Sequence, residues 1–121
     1  MNSVLLEGTL TRDPELSQDA NGRPQCLLLI TSDRYLRREN SMEKQTTGIH
    51  VYTKGKMAEQ CMRLFRAGRK IRVVGCLQAL SGKNAEGRDM SRLVIDAEHL
   101  EVKSEITKKQ EREPSIDFFF R

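Results

Sequence analysis

Between Ile49 and Ala79 the apolar pattern changes its period twice, and few folds accommodate that. Ile49, Val51 and Thr53 alternate with His50, Tyr52 and Lys54, the signature of a strand with one face inward and the other toward water or a ligand. Met57, Ala58, Cys61, Leu64 and Phe65 then recur at helical spacing in KMAEQCMRLFRAG, with Gly68 as the expected stop. Ile71, Val73, Gly75, Leu77 and Ala79 return to period two. One short helix is thus set between strands.

The flanking segments complete the order. Val4, Leu6, Gly8 and Leu10 share one face of an alternating segment, so residues 3–11 read as a first strand, which Asp13-Pro14-Glu15-Leu16 interrupts. Asn21-Gly22 is a tight-turn pair, and QCLLLIT (Gln25 to Thr31) is a largely buried second strand. Residues 32–46, SDRYLRRENSMEKQT, carry no apolar period and read as a long polar loop. After the fourth strand comes the loop SGKNAEGR, then a last strand from about Asp89 to Val102. Three strands, a helix and two strands predict an all-β chain, a five-stranded OB-fold barrel over residues 1–102 with its helix between strands 3 and 4. From residue 103 onward KSEITKKQEREPS lacks period and is expected to be a flexible tail, ending in PSIDFFFR.

Composition narrows the chemistry. With 121 residues the chain is one domain, and 21 Lys and Arg against 17 Asp and Glu leave it at +4, a balance suited to a polyanion. Cys26, Cys61 and Cys76 lie far apart among apolar neighbours, without metal-ligand spacing and in an odd number, so buried thiols in a reducing cytoplasm are expected. The start MNSVLLEG lacks the basic segment and apolar run of a signal peptide, and no stretch approaches a membrane span. No catalytic constellation appears, so neither an enzyme nor a cofactor is expected.

Two stretches carry a family likeness. MNSVLLEGTLTRDPEL followed by NGRP, and KGKMAEQCMRLFRAGRKIRVVGCLQ, resemble the opening and the helix with fourth strand of the bacterial single-stranded DNA-binding proteins (SSB), over Met1 to about Val102. The resemblance implies non-specific binding of single-stranded DNA in replication, recombination and repair, by a basic groove with aromatic rings on which bases stack. It also implies a homotetramer, with outward apolar residues such as Leu5, Val74 and Cys76 packing on another subunit, and a nucleoid-associated place in the cytoplasm. Of the family's stacking aromatics the first is kept as Tyr35, while the other three positions hold Gly48, Lys54 and Gly82, and Tyr52 is the candidate replacement. Phosphate contacts should therefore carry more of the affinity, from Arg34, Arg37, Arg38, Lys54, Lys56, Arg72, Lys83 and Arg88, with Lys70 and Arg92 also available and His50 beside the DNA or a second subunit.

Against this stand plainer readings. RYLRRE is also what a solvated loop looks like, and a Tyr52 that covers a sheet face or a subunit contact is an equal alternative. The family's tail ends in a tip that docks in partner enzymes, and Ile116, Asp117, Phe118, Phe119 and Phe120 resemble it, with Arg121 following them. The same phenylalanines could instead fold back on the barrel. Two further readings stay open: a primosomal-type OB protein that binds single strands weakly and bridges other proteins, and an adaptor that binds no DNA.

Overall fold

A computed structural model describes residues 1–103. Its elements are β1 (Val4–Leu10), β2 (Glu15–Gln18), β3 (Pro24–Arg38), β4 (Ser41–Lys54), α1 (Gly55–Leu64), β5 (Lys70–Lys83) and β6 (Asp89–Lys103). The sheet runs β1-β5-β6-β4-β3-β2 and closes where β1 also meets β3, at Thr9↔Thr31 and Leu10↔Ile30. Among the described residues only β4 and β6 pair in parallel, at Val51↔Ile95 and Tyr52↔Asp96. The five long strands form the OB-fold barrel expected from the order of elements.

Closure depends on a bare backbone. A Cβ on Gly8 would lie 2.2 Å from the Thr31 carbonyl oxygen, so only glycine lets β1 cross β3 here. Inside, Leu10, Leu28, Ile30, Val51, Ile71, Val73, Ile95 and Leu100 are buried, each on the inward side of its alternating strand. Helix α1 adds Ala58 and Cys61, and Phe65 just beyond it is the largest fully buried side chain among the described residues. Leu64, which shares the helical spacing, is 44% exposed instead.

The structure corrects the sequence reading at four places. Residues 32–46 are not a loop. Strands β3 and β4 stay paired without a register shift from Gln25↔Lys54 to Arg38↔Ser41, leaving Glu39 and Asn40 as the turn. This ribbon has no apolar period because nearly all of it is wet on both faces, so backbone hydrogen bonds rather than burial define it. The β5–β6 pair likewise extends outward to Lys83↔Asp89, shrinking its loop to Asn84–Arg88. A short extra strand, β2, adds to β3 from Glu15↔Leu27 to Gln18↔Pro24; all four of its residues are exposed, so no burial pattern marks it. Finally, α1 ends at Leu64, where the Phe65 N–H donates to the Cys61 carbonyl. Gly68 (φ 96°) shapes the turn into β5 instead, its N–H donating to the Leu10 carbonyl at 2.7 Å. The tail residues, including Ile116, Asp117 and Phe118 to Phe120, lie outside the described residues.

Candidate nucleic-acid interface

Because Val51 and Thr53 are buried, His50, Tyr52 and Lys54 face outward from β4. Their partners on β3 are Leu29, Leu27 and Gln25. From β6, Arg92 reaches across to this face: its Nη2 donates to the Tyr52 hydroxyl at 3.2 Å, and its Nη1 lies 3.2 Å from His50 Nδ1. Beside them a shallow cleft of about 300 Å³ is lined by Asp19, Gln25, Tyr52, Lys54, Gln78 and Leu80. It offers a ring, a cation and amides to a ligand from one concave surface.

Register decides which cations of the β3–β4 ribbon join this face. Successive strand residues point to opposite sides, so Tyr35 and Arg37 share the side of Leu27 and Leu29. They stand opposite Lys44 and Met42, in line with Gly48, His50 and Tyr52 on β4. Tyr35 is 62% exposed, a ring presented to solvent. Arg34 and Arg38 point the other way and already have partners: Arg34 donates to the Gln45 amide oxygen, and Arg38 sits 2.8 Å from Glu43.

The remaining predicted cations are Arg72, Lys83, Arg88 and Lys56. Arg72 is on another outer face, 2.6 Å from Glu7 and 3.3 Å from Glu101, and Lys103 also reaches Glu7 at 3.2 Å. The Arg72 and Lys103 contacts hold the Glu7 carboxyl below its ordinary pKa. Lys83 pairs with Asp89 at 2.7 Å, on the side of the arm opposite Gly82 and Leu80. Arg88 stands at the tip of that arm, its N–H held by the Asn84 side chain. Lys56 is exposed on the first turn of α1, next to the cleft residue Lys54.

Arg12 is a cation the sequence reading missed. Thr11, the residue before it, donates its N–H to the Leu29 carbonyl at 3.0 Å, and Leu29 is the partner of His50. Arg12 follows directly, close enough for its charge to act on the imidazole. Burial, then Arg92 and Arg12, push the His50 pKa below its ordinary value, with Glu15 opposing. The sequence places Arg12 directly before Asp-Pro-Glu, yet nothing local says which strand it would meet.

The missing aromatics are not a matter of space. A Cβ on Gly48 meets only the Thr31 methyl at 3.7 Å and a Leu29 methyl at 3.9 Å, and one on Gly82 meets nothing within 4 Å.

Residues 1–103 match the family model described as the single-strand binding protein family. The chain belongs to that family. Among similar members, a single-stranded DNA-binding protein of Fusobacterium nucleatum is 37% identical over 102 residues, covering 84% of this chain and 66% of that protein. Another, from Helicobacter hepaticus, is 30% identical over 84% of this chain and 60% of its own length, so the chain spans less than two thirds of these relatives. The replication restart protein PriB of Photobacterium profundum is 27% identical, covering 84% of this chain and 93% of that protein. Two solved structures share the fold. The Plasmodium falciparum SSB in complex with single-stranded DNA superposes at a TM-score of 0.77 with 14% identity, over 86% of this chain and 96% of that one. A Thermus aquaticus single-stranded DNA binding protein superposes at 0.74 with 23% identity, over 86% and 51%.

Proposed function

We propose that this SSB-family chain binds single-stranded DNA without sequence preference, in replication, recombination and repair, with no catalysis of its own. The observation that carries the reading is the single face of β3, β4 and β6 on which Tyr35, Arg37, His50, Tyr52, Lys54 and Arg92 lie together. In this reading Tyr35 supplies a stacking surface, and Arg37, Lys54 and Arg92 supply cations for the phosphates between successive bases. A titration of labelled oligo-dT at several salt concentrations tests it. Log K should fall by about 0.7 per phosphate neutralised for each decade of salt. Binding that is undetectable at low salt would overturn the reading.

A primosomal-type bridging role is the second reading. It is favoured by the near-complete overlap with a relative named as a replication restart protein, and by glycines in place of rings at 48 and 82. Weak oligo-dT binding together with capture of replication proteins would favour it. Docking of partners through Ile116, Asp117 and Phe118 to Phe120 belongs to either reading. Deleting Pro114 to Arg121 should abolish partner capture and leave DNA affinity unchanged; a fall of several degrees in Tm would mean that these residues belong to the fold. Assembly as a homotetramer is supported by Leu5, 68% exposed and paired with half-buried Val74. Light scattering showing a monomer at micromolar concentration would remove it. The proposed location is the cytoplasm, on the nucleoid.

A further inference from the structure

We propose that Arg12, His50 and Arg92 form a seat for one backbone phosphate of the single strand, and that filling the seat takes up a proton at His50. The inference rests on the single-stranded DNA reading and adds a subsite and its chemistry.

Three observations carry it. One guanidinium meets the imidazole directly, Arg92 across the β4–β6 pair at 3.2 Å, and the charge of a second, Arg12, acts on the same ring from the residue after Thr11, whose N–H is bonded to the Leu29 carbonyl. Arg92 is held in position by a second donor bond to Tyr52, and it is exposed to solvent. The Arg92–His50 contact is a hydrogen bond only while Nδ1 lacks a proton, because a guanidinium has no acceptor to offer in return. The empty seat thus favours neutral His50, in agreement with the lowered proton affinity of the ring. The charged groups around it are Arg92 and, opposite Tyr52, Asp96 from β6, Arg12 from the β1–β2 link and Glu15 from β2; β3 presents the apolar Leu29.

A phosphate reverses this balance. Its oxygens accept from Arg92 and Arg12 and screen their charge from the ring. Arg92 then releases Nδ1, which can hold a proton and donate to the same phosphate. One arginine–histidine bond is exchanged for charge-assisted bonds from Arg92, Arg12 and protonated His50 to the anion, the stronger kind. Proton uptake accompanies binding, so affinity rises as pH falls through the bound-state midpoint of His50 and levels off below its free-state midpoint.

The test is a set of oligo-dT titrations between about pH 8 and about pH 5, the range in which an imidazole changes charge. NMR titration of the His50 ring, free and saturated, runs alongside, with a His99→Gln background to isolate the signal. The expected result is a higher bound midpoint and an affinity gain of about tenfold for each unit by which it exceeds the free midpoint. His50→Gln should flatten the profile while still binding, and Arg92→Gln should raise the free midpoint of His50. Oligo-dT binding whose affinity does not change with pH, or an unchanged midpoint in the complex, overturns the seat and leaves the DNA reading intact. No binding at any pH overturns both.

Discussion

Gly48→Trp should convert a gap in the binding face into a stacking platform. The position lies on β4 opposite Thr31, on the face that carries His50 and Tyr52. A Cβ there makes only ordinary contacts, at 3.7 and 3.9 Å, so the first side-chain atom is accepted by the strand as it stands. Replacing a strand glycine removes an entropic cost of about 0.5–1 kcal/mol, so thermal stability should hold or rise slightly. If a base stacks on the new ring, the gain is about 1–3 kcal/mol, or roughly 5- to 150-fold in affinity at about 1.4 kcal/mol per decade. The native chain contains no Trp, so the new indole is a clean reporter. Oligo-dT should quench its fluorescence in step with binding. Unchanged affinity and unquenched emission in a folded variant would show that the strand does not cross this face, and the interface described here would be wrong.

The ribbon faces separate the cations. Arg37→Gln should weaken oligo-dT binding several-fold and lower the salt slope by about 0.7, whereas Arg38→Gln should do neither, because Arg38 faces Glu43 on the opposite side; equal effects would defeat the register argument. Tyr35→Ala should cost about 1–3 kcal/mol of binding and Tyr35→Phe almost nothing, as measured by the same titration. Gly8→Ala should destabilise the fold by about 1–3 kcal/mol or more in urea unfolding, since the methyl would strike the Thr31 carbonyl. An unaltered midpoint would mean that β1 and β3 can separate at no cost.

The order of the five barrel strands and their helix, the inward face of strands such as β4, and most of the cations were legible from residue types alone. Half-buried strands and a one-sided helix imprint burial on a local period, as Val51 and Thr53 against His50 and Tyr52 illustrate. The Asn21-Gly22 turn was equally plain, with Gly22 at φ 79° and its N–H bonded to the Asp19 carbonyl. Tertiary structure alone decided that SDRYLRRENSMEKQT is a paired ribbon. A ribbon wet on both faces leaves no apolar rhythm, and its register is a relation between distant residues. That register turned Tyr35 and Arg37 toward Tyr52 and sent Arg34 and Arg38 away. It is likewise closure of the barrel, through a glycine that only the crossing strand requires, that lets the Arg12 charge act on a histidine thirty-eight positions further along the chain. Local pattern records which side of its own strand a residue occupies, but which other strand lies across from it is a property of the folded sheet.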